Sequence, residues 1–253
     1  MSLTGQSGRG KIVLFDDFMG VTVPVADTDS SIKPGAAIGP FKITGQIDHA
    51  DSGVITLSKE SGYVTIQAST TEDANGCAIG TEVALSPLLN GTLVLETRVE
   101  MAALTTRNVF IGFDSANAAE ILEPITSTGT TITKVAACVG FHFDSEITVD
   151  ATAATAVWHM PYILATTTTQ TSTTVASSQV AVVDESDVLR IEVDPNGAAR
   201  WYINGKLEQS VGAGLAATPA TKLAGVIAIF GKSSTPTISA DYLLITANRD
   251  WTR

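Results

Sequence analysis

Residues 189–211, LRIEVDPNGAARWYINGKLEQSV, leave this chain little alternative to antiparallel β structure. Leu189, Ile191 and Val193 alternate with Arg190 and Glu192; after the Asp194-Pro195-Asn196-Gly197 turn, Ala199, Trp201 and Ile203 alternate with Arg200 and Tyr202. A period of two puts the apolar set on one face of each strand and the polar set on the other. Asn204-Gly205 is the pair best able to take positive φ at both central positions of a type I′ turn, whose twist matches the strands it joins. The stretch therefore predicts three strands and two tight turns, with residues 206–211 running back alongside the second strand.

Similar signals recur along the chain. Strands are expected over 11–18, 41–47, 53–57, 63–68, 93–101, 109–113, 135–143, 157–164, 175–183, 223–230 and 237–246, with Gly, Pro and Asn between them. Residues 76–85 read as less regular. In 93–101, Leu93, Leu95, Thr97, Val99 and Met101 share one face, while Glu96, Arg98 and Glu100 share the other. The segments 109–113 and 135–143 are apolar almost throughout, as in strands covered on both faces. The last strand is expected to return beside the first. Around a dozen short strands with virtually no helix indicate an all-β fold, a two-sheet antiparallel jelly-roll sandwich. Ile191, Trp201, Ile203, Phe113, Phe141 and Phe230 are the expected core.

A chain of 253 residues can form one such domain. The sandwich is expected over 12–253, after a flexible Gly/Ser-rich arm at 1–11 that carries Arg9 and Lys11 without an acidic residue. A Thr/Ser-rich loop is expected at about 165–178. The alternative for the arm is an anchor reaching an acidic neighbouring subunit.

Composition bears on partners. A net charge of −11 repels bare nucleic acid and anionic membranes, so neither is expected as a partner. The uncharged interval 151–183 is too polar to span a bilayer and contains Pro161. The N-terminus lacks a charged region followed by an apolar core, so no signal peptide and synthesis in a cytoplasm are expected. Cys77 and Cys138 lack CxxC spacing and read as buried free thiols, a disulfide staying open if their strands are neighbours.

Chemistry-bearing patterns are sparse. His49, His142 and His159 stand apart in sequence, without metal-ligand spacing to another strong ligand. Asp144, Glu146 and Asp150 could offer oxygens to calcium, but no Asp-rich loop of defined spacing surrounds them. No catalytic, cofactor or metal residues are therefore assigned. Aromatic residues make up 6% of the chain. Trp158, Tyr162 and Tyr202 are the candidates for stacking against sugar rings.

Two segments together carry a resemblance: VLFDDFMG at 13–20, and LRIEVDPNGAARWYINGKL at 189–207 followed by ISADYLLITANRD at 238–250. The chain resembles the concanavalin A-like lectin/glucanase jelly rolls, and more narrowly those among structural proteins of tailed bacteriophages. Glycanases of that superfamily carry paired glutamates on one strand, and no such motif occurs here. In Glu96-Thr97-Arg98-Val99-Glu100 the central place is taken by Arg98, which is expected to screen the two acids; Asp144-Ser145-Glu146 reads as an exposed turn. What the resemblance implies is a non-enzymatic virion structural protein: a homotrimeric decoration or cement protein on the capsid surface, binding the major capsid protein through its arm, Arg9 and Lys11 included. A carbohydrate-binding head-fibre or tail-associated adhesion module is the alternative.

Overall fold

The computed structural model describes residues 10–19, 37–45, 53–57, 62–68, 76–115, 125–128, 131–134, 137–144, 156–165, 169–171, 175–231 and 235–249. In chain order the strands begin with β1 (Lys11–Asp16), β2 (Ala37–Ile38), β3 (Phe41–Gly45), β4 (Gly53–Leu57), β5 (Val64–Gln67) and β6 (Gly76–Gly80). After the short helix α1 (Pro87–Asn90) come β7 (Leu93–Glu100), β8 (Asn108–Asp114), β9 (Ile125–Thr128), β10 (Thr131–Lys134) and β11 (Cys138–Asp144). There follow β12 (Val157–His159), β13 (Tyr162–Ile163), β14 (Thr169–Thr171), β15 (Ala176–Val180) and β16 (Ser186–Val193). The chain ends with β17 (Ala199–Ile203), β18 (Lys206–Val211), β19 (Ala224–Phe230) and β20 (Thr237–Asn248). No described helix is long and apolar enough to cross a membrane.

Two antiparallel sheets form the sandwich. One has eight strands in the order β18-β17-β16-β7-β20-β5-β4, with β1 also on β20; the other has nine, β15-β12-β11-β8-β19-β6-β3-β2, with β13 on β11. Strand β20 is long enough to pair with β5 through its first residues and with β1 through its last, so the final strand does return beside the first. A bulge at Asp241 shifts its register against β7. Both expected turns are present: Asp194 O accepts from Gly197 N at 2.9 Å, and Asn204 and Gly205 have φ of 50° and 80°.

The core lies between the sheets. Leu95, Ile191, Trp201, Ile203 and Ile245 from one sheet meet Ile111, Phe113, Phe141 and Ile227 from the other. Trp201 also ties the layers together, its Nε1–H donating to Gly140 O at 2.7 Å. Gly140 lies directly across from Gly112. A Cβ on Gly112 would stand 2.5 Å from the Gly140 Cα, so these two strands approach only because neither residue has a side chain.

Several expectations are corrected. Phe230 is fully buried, but in a second cluster with Phe110, Cys138, Ile163 and Val226 on the outer side of the nine-stranded sheet. Ile227 and Ile229 take the inner face, which alternation could not decide in a strand apolar on both sides. Residues 76–80 form the wholly buried strand β6. The stretch 157–164 is split at Met160-Pro161 into β12 and β13, because Pro161 has no N–H for a ladder. The expected loop at 165–178 includes β14, paired with β10, and the start of β15. Lys11 belongs to the sheet, opposite Asn248, and Arg9 lies outside the described residues.

Candidate functional site

The outer face of the eight-stranded sheet carries an ion-pair ladder set by register. Arg190 stands opposite Glu96 on β7, and Glu192 opposite Arg200 on β17. Arg190 donates to Glu96 and Glu192 at 3.0 and 2.7 Å, while Arg200 donates to Glu192 and Asp194 at 3.0 and 2.7 Å. Partial burial pushes Glu192 up, but the bonds from Arg190 and Arg200 outweigh it and hold the carboxyl below its ordinary value. The bond from Arg200 likewise holds Asp194 low. Tyr242 donates to Glu96 at 3.0 Å; burial, then that bond, raises its phenol. Arg98 pairs with Asp241 at 3.2 Å, and Glu100 is buried. These acids are each bound to cations or buried.

On the outer face of the nine-stranded sheet, pairing gathers residues that are scattered in sequence. His142 stands directly across from His159, and Asp144 across from Asn108; all four are buried. His142 Nε2 is 3.9 Å from Asp144 Oδ2. Sequence spacing missed the histidine pair because the two residues meet only through the pairing of β11 with β12. Among the described residues, no three of His, Cys, Asp and Glu come together as a metal would require. His49, Glu146 and Asp150 lie outside the described residues.

The flank where β15 and β18 end the two sheets is closed by side chains. Glu208 accepts from Ser178 N at 2.7 Å, Ser178 Oγ at 2.9 Å, Gln179 Nε2 at 3.3 Å and Lys206 Nζ at 2.9 Å. Burial pushes its carboxyl up, but these donors dominate and bring it down to about 2. Gln179 Nε2 also donates to Ile203 O at 2.9 Å, so the clamp spans both layers.

One end of the sandwich differs. Gly10 O accepts from Arg249 N at 3.0 Å, which places the exit of the N-terminal residues beside the last strand. Asn90 of α1 donates to Asn248 O at 2.9 Å, and Leu88 N donates to Pro219 O at 3.0 Å. The turn at 194–197 joins the same end, since Ala216 N and Ala217 N both donate to Gly197 O at 3.1 Å. Pro87 starts α1 with its preset φ, and the helix leaves Leu88 and Leu89 57% and 42% exposed. Leu215, in the neighbouring loop, is 60% exposed. Sequence reading missed these leucines because a one-turn helix and a loop far apart in the chain present them.

The sugar-stacking candidates do not share a surface. Trp158 is 1% exposed, packed edge-on against Phe141 and Phe143, with Nε1–H donating to Asp187 at 2.9 Å. Neither face of its ring is open to a sugar. Tyr162 is half-buried over Trp201, at a ring separation of 6.0 Å. Tyr202 is half-buried opposite Leu207 on the outer face of the other sheet. Cys77 and Cys138 are both free and buried, facing opposite sides of one sheet. Burial raises the Cys77 thiol to about 12.

No protein-family model and no curated protein matches this chain. Solved structures do match. A protein of unknown function, SO2946 from Shewanella oneidensis MR-1, aligns over 100% of this chain and 92% of its own, at 14% identity and a TM-score of 0.59. Peanut lectin aligns over 94% and 97%, at 10% identity and a TM-score of 0.54. The carbohydrate recognition domain of Emp47p aligns over 88% and 96%, at 7% identity and a TM-score of 0.54. At such identities the likeness is one of fold alone: the chain is a two-sheet antiparallel jelly-roll sandwich of the concanavalin A-like lectin/glucanase type.

Proposed function

We propose that this chain is a non-enzymatic adhesion module, a decoration or cement protein that attaches to the major capsid protein of a tailed bacteriophage and stabilises the head. The observation carrying this reading is the end of the sandwich, where the exit of the N-terminal residues lies with the exposed Leu88, Leu89 and Leu215. Exposed leucines beside a terminal arm suit recognition of a protein surface, and repeated equivalent contacts on a shell multiply a weak single contact. A homotrimer fits local threefold positions. The phage setting itself rests on the resemblance of residues 13–20, 189–207 and 238–250.

The test is co-sedimentation with capsids assembled from the major capsid protein of the same genome, with light scattering for the oligomer. The intact chain should co-sediment; a chain lacking residues 1–9, and a Leu88→Glu/Leu215→Glu variant, should fold but stay in the supernatant. Undiminished binding by both variants would remove this end from the attachment, and absence of binding by the intact chain would end the capsid reading. The alternative, a carbohydrate-binding adhesion module, is favoured by the lectin-like fold and requires a saturable ligand on a glycan array.

A further inference from the structure

We infer that Asn196 is the site at which this chain modifies itself, by deamidation through a succinimide formed with Gly197. Asn-Gly pairs occur at 75–76, 90–91, 196–197 and 204–205. Each is chemically predisposed, because glycine offers no side chain to crowd the attacking nitrogen. In the reaction the Gly197 backbone nitrogen bonds to Asn196 Cγ, and Nδ2 departs as ammonia with the amide proton. Water then opens the ring. Cleavage of the new Cγ–N bond yields aspartate, and cleavage at the main-chain carbonyl yields isoaspartate.

The fold distinguishes the sites. Asn75 lies outside the described residues. Asn90 is buried, with Oδ1 accepting from Ser86 N at 2.8 Å and Nδ2 donating to Asn248 O at 2.9 Å. Asn204 is exposed but pinned: Oδ1 accepts from Val188 N at 2.9 Å, and Nδ2 donates to Gln179 Oε1 at 3.1 Å and Asp187 Oδ1 at 3.0 Å. The departing nitrogen there is held by a carboxylate. Asn196 is exposed, and among the described residues its side chain makes one bond, from Ala198 N to Oδ1 at 3.1 Å. The other contact that attack must break is the donation from Gly197 N to Asp194 O at 2.9 Å. Isoaspartate at 196 would lengthen the backbone where Asn196 O accepts from Gly214 N at 2.8 Å, and so loosen the loop that carries Leu215.

Trypsin places the two exposed sites on separate peptides, 191–200 and 201–206. The intact folded protein is aged in mildly alkaline buffer, digested and analysed by mass spectrometry for amide-to-acid conversion, with an isoaspartate-directed methyltransferase as a second readout. Conversion in 191–200 should be at least about tenfold faster than in 201–206, reflecting the additional bonds at Asn204. In guanidinium the two peptides should convert at similar rates, and Asn196→Gln should abolish conversion in 191–200. Equal or faster conversion of 201–206 in the folded protein would overturn the assignment. So would an unconverted 191–200 peptide under conditions in which the unfolded chain reacts.

Discussion

Glu208→Gln keeps the shape of the clamp between β15 and β18 but removes its charge. The carboxyl has four donors around it, and only 3% of its side chain is exposed. A fall from the ordinary 4.5 to about 2 corresponds by linkage to at most about 3 kcal/mol of folding stability. Lys206, one of the donors, stands 60% exposed, so solvent screening reduces the expected contribution to about 1–2 kcal/mol. The sign follows from the direction: a carboxyl lower in the folded than in the unfolded chain contributes fully above about 4.5, and the contribution fades as pH falls toward 2.

Urea unfolding followed by tryptophan fluorescence, for wild type and Glu208→Gln across that range, reads the effect directly. Near neutral pH the variant should be less stable by about 1–2 kcal/mol, and the gap should narrow steadily below about pH 4.5. Taking the difference between the two proteins cancels carboxyls they share. A gap that is the same at every pH would refute the reasoning, because it would assign the loss to packing and not to ionisation. A neutral-pH gap near zero would equally refute it, showing that the donors are as well satisfied by water.

Gly112→Ala should cost more than about 2 kcal/mol in urea, because its Cβ would meet the Gly140 Cα and Val139 O at 2.5 Å with backbone on both sides. Gly205→Ala, at φ +80° with nothing within 4 Å, should cost only the strain of the turn, about 1 kcal/mol in the same assay. Cys77, fully buried and raised to about 12, should resist a thiol-exchange reagent in the folded protein and react once the chain is unfolded, as followed by absorbance. Trp201→Phe should lose about 1–3 kcal/mol by thermal unfolding, since it leaves Gly140 O without its buried donor.

Where one face of a strand is dry and the other wet, period-two patterning was sufficient to read the fold. Residues 93–101 and 189–203 are of this kind, and their inner residues Leu93, Leu95, Leu189, Ile191, Trp201 and Ile203 are buried as the alternation demands. The same signal is silent in β6, β8, β11 and β19, where both faces are covered; hence Phe230 was assigned to the wrong side and β6 was missed. Local turn chemistry was legible at Asn204-Gly205 because two residues decide it. Trp158 is the opposite case. Its composition suggests a sugar platform, yet Phe141, Phe143 and Asp187 come to it from elements remote in sequence and enclose it. The His142–His159 pair and the leucine-bearing end are likewise products of long-range pairing, invisible to any window of the chain.

The surfaces differ in how much free energy a partner could gain from them. On the face bearing Arg190 and Arg200, a ligand must compete with bonds already made to Glu96, Glu192 and Asp194, and the charges there are largely neutralised by one another. At the flank, Glu208 already occupies Ser178 N on the edge strand β15, a backbone group that an added strand could use. Covering Leu88, Leu89 and Leu215 breaks no bond made by those side chains and removes apolar area from water at about 25 cal/mol per Å². Three leucines suffice for only a weak contact, well below the roughly 800 Å² per partner of a stable pairwise interface. A surface of that size favours a setting in which many copies attach side by side, and this is why the proposed role is decoration of a repeating shell and not capture of a single partner.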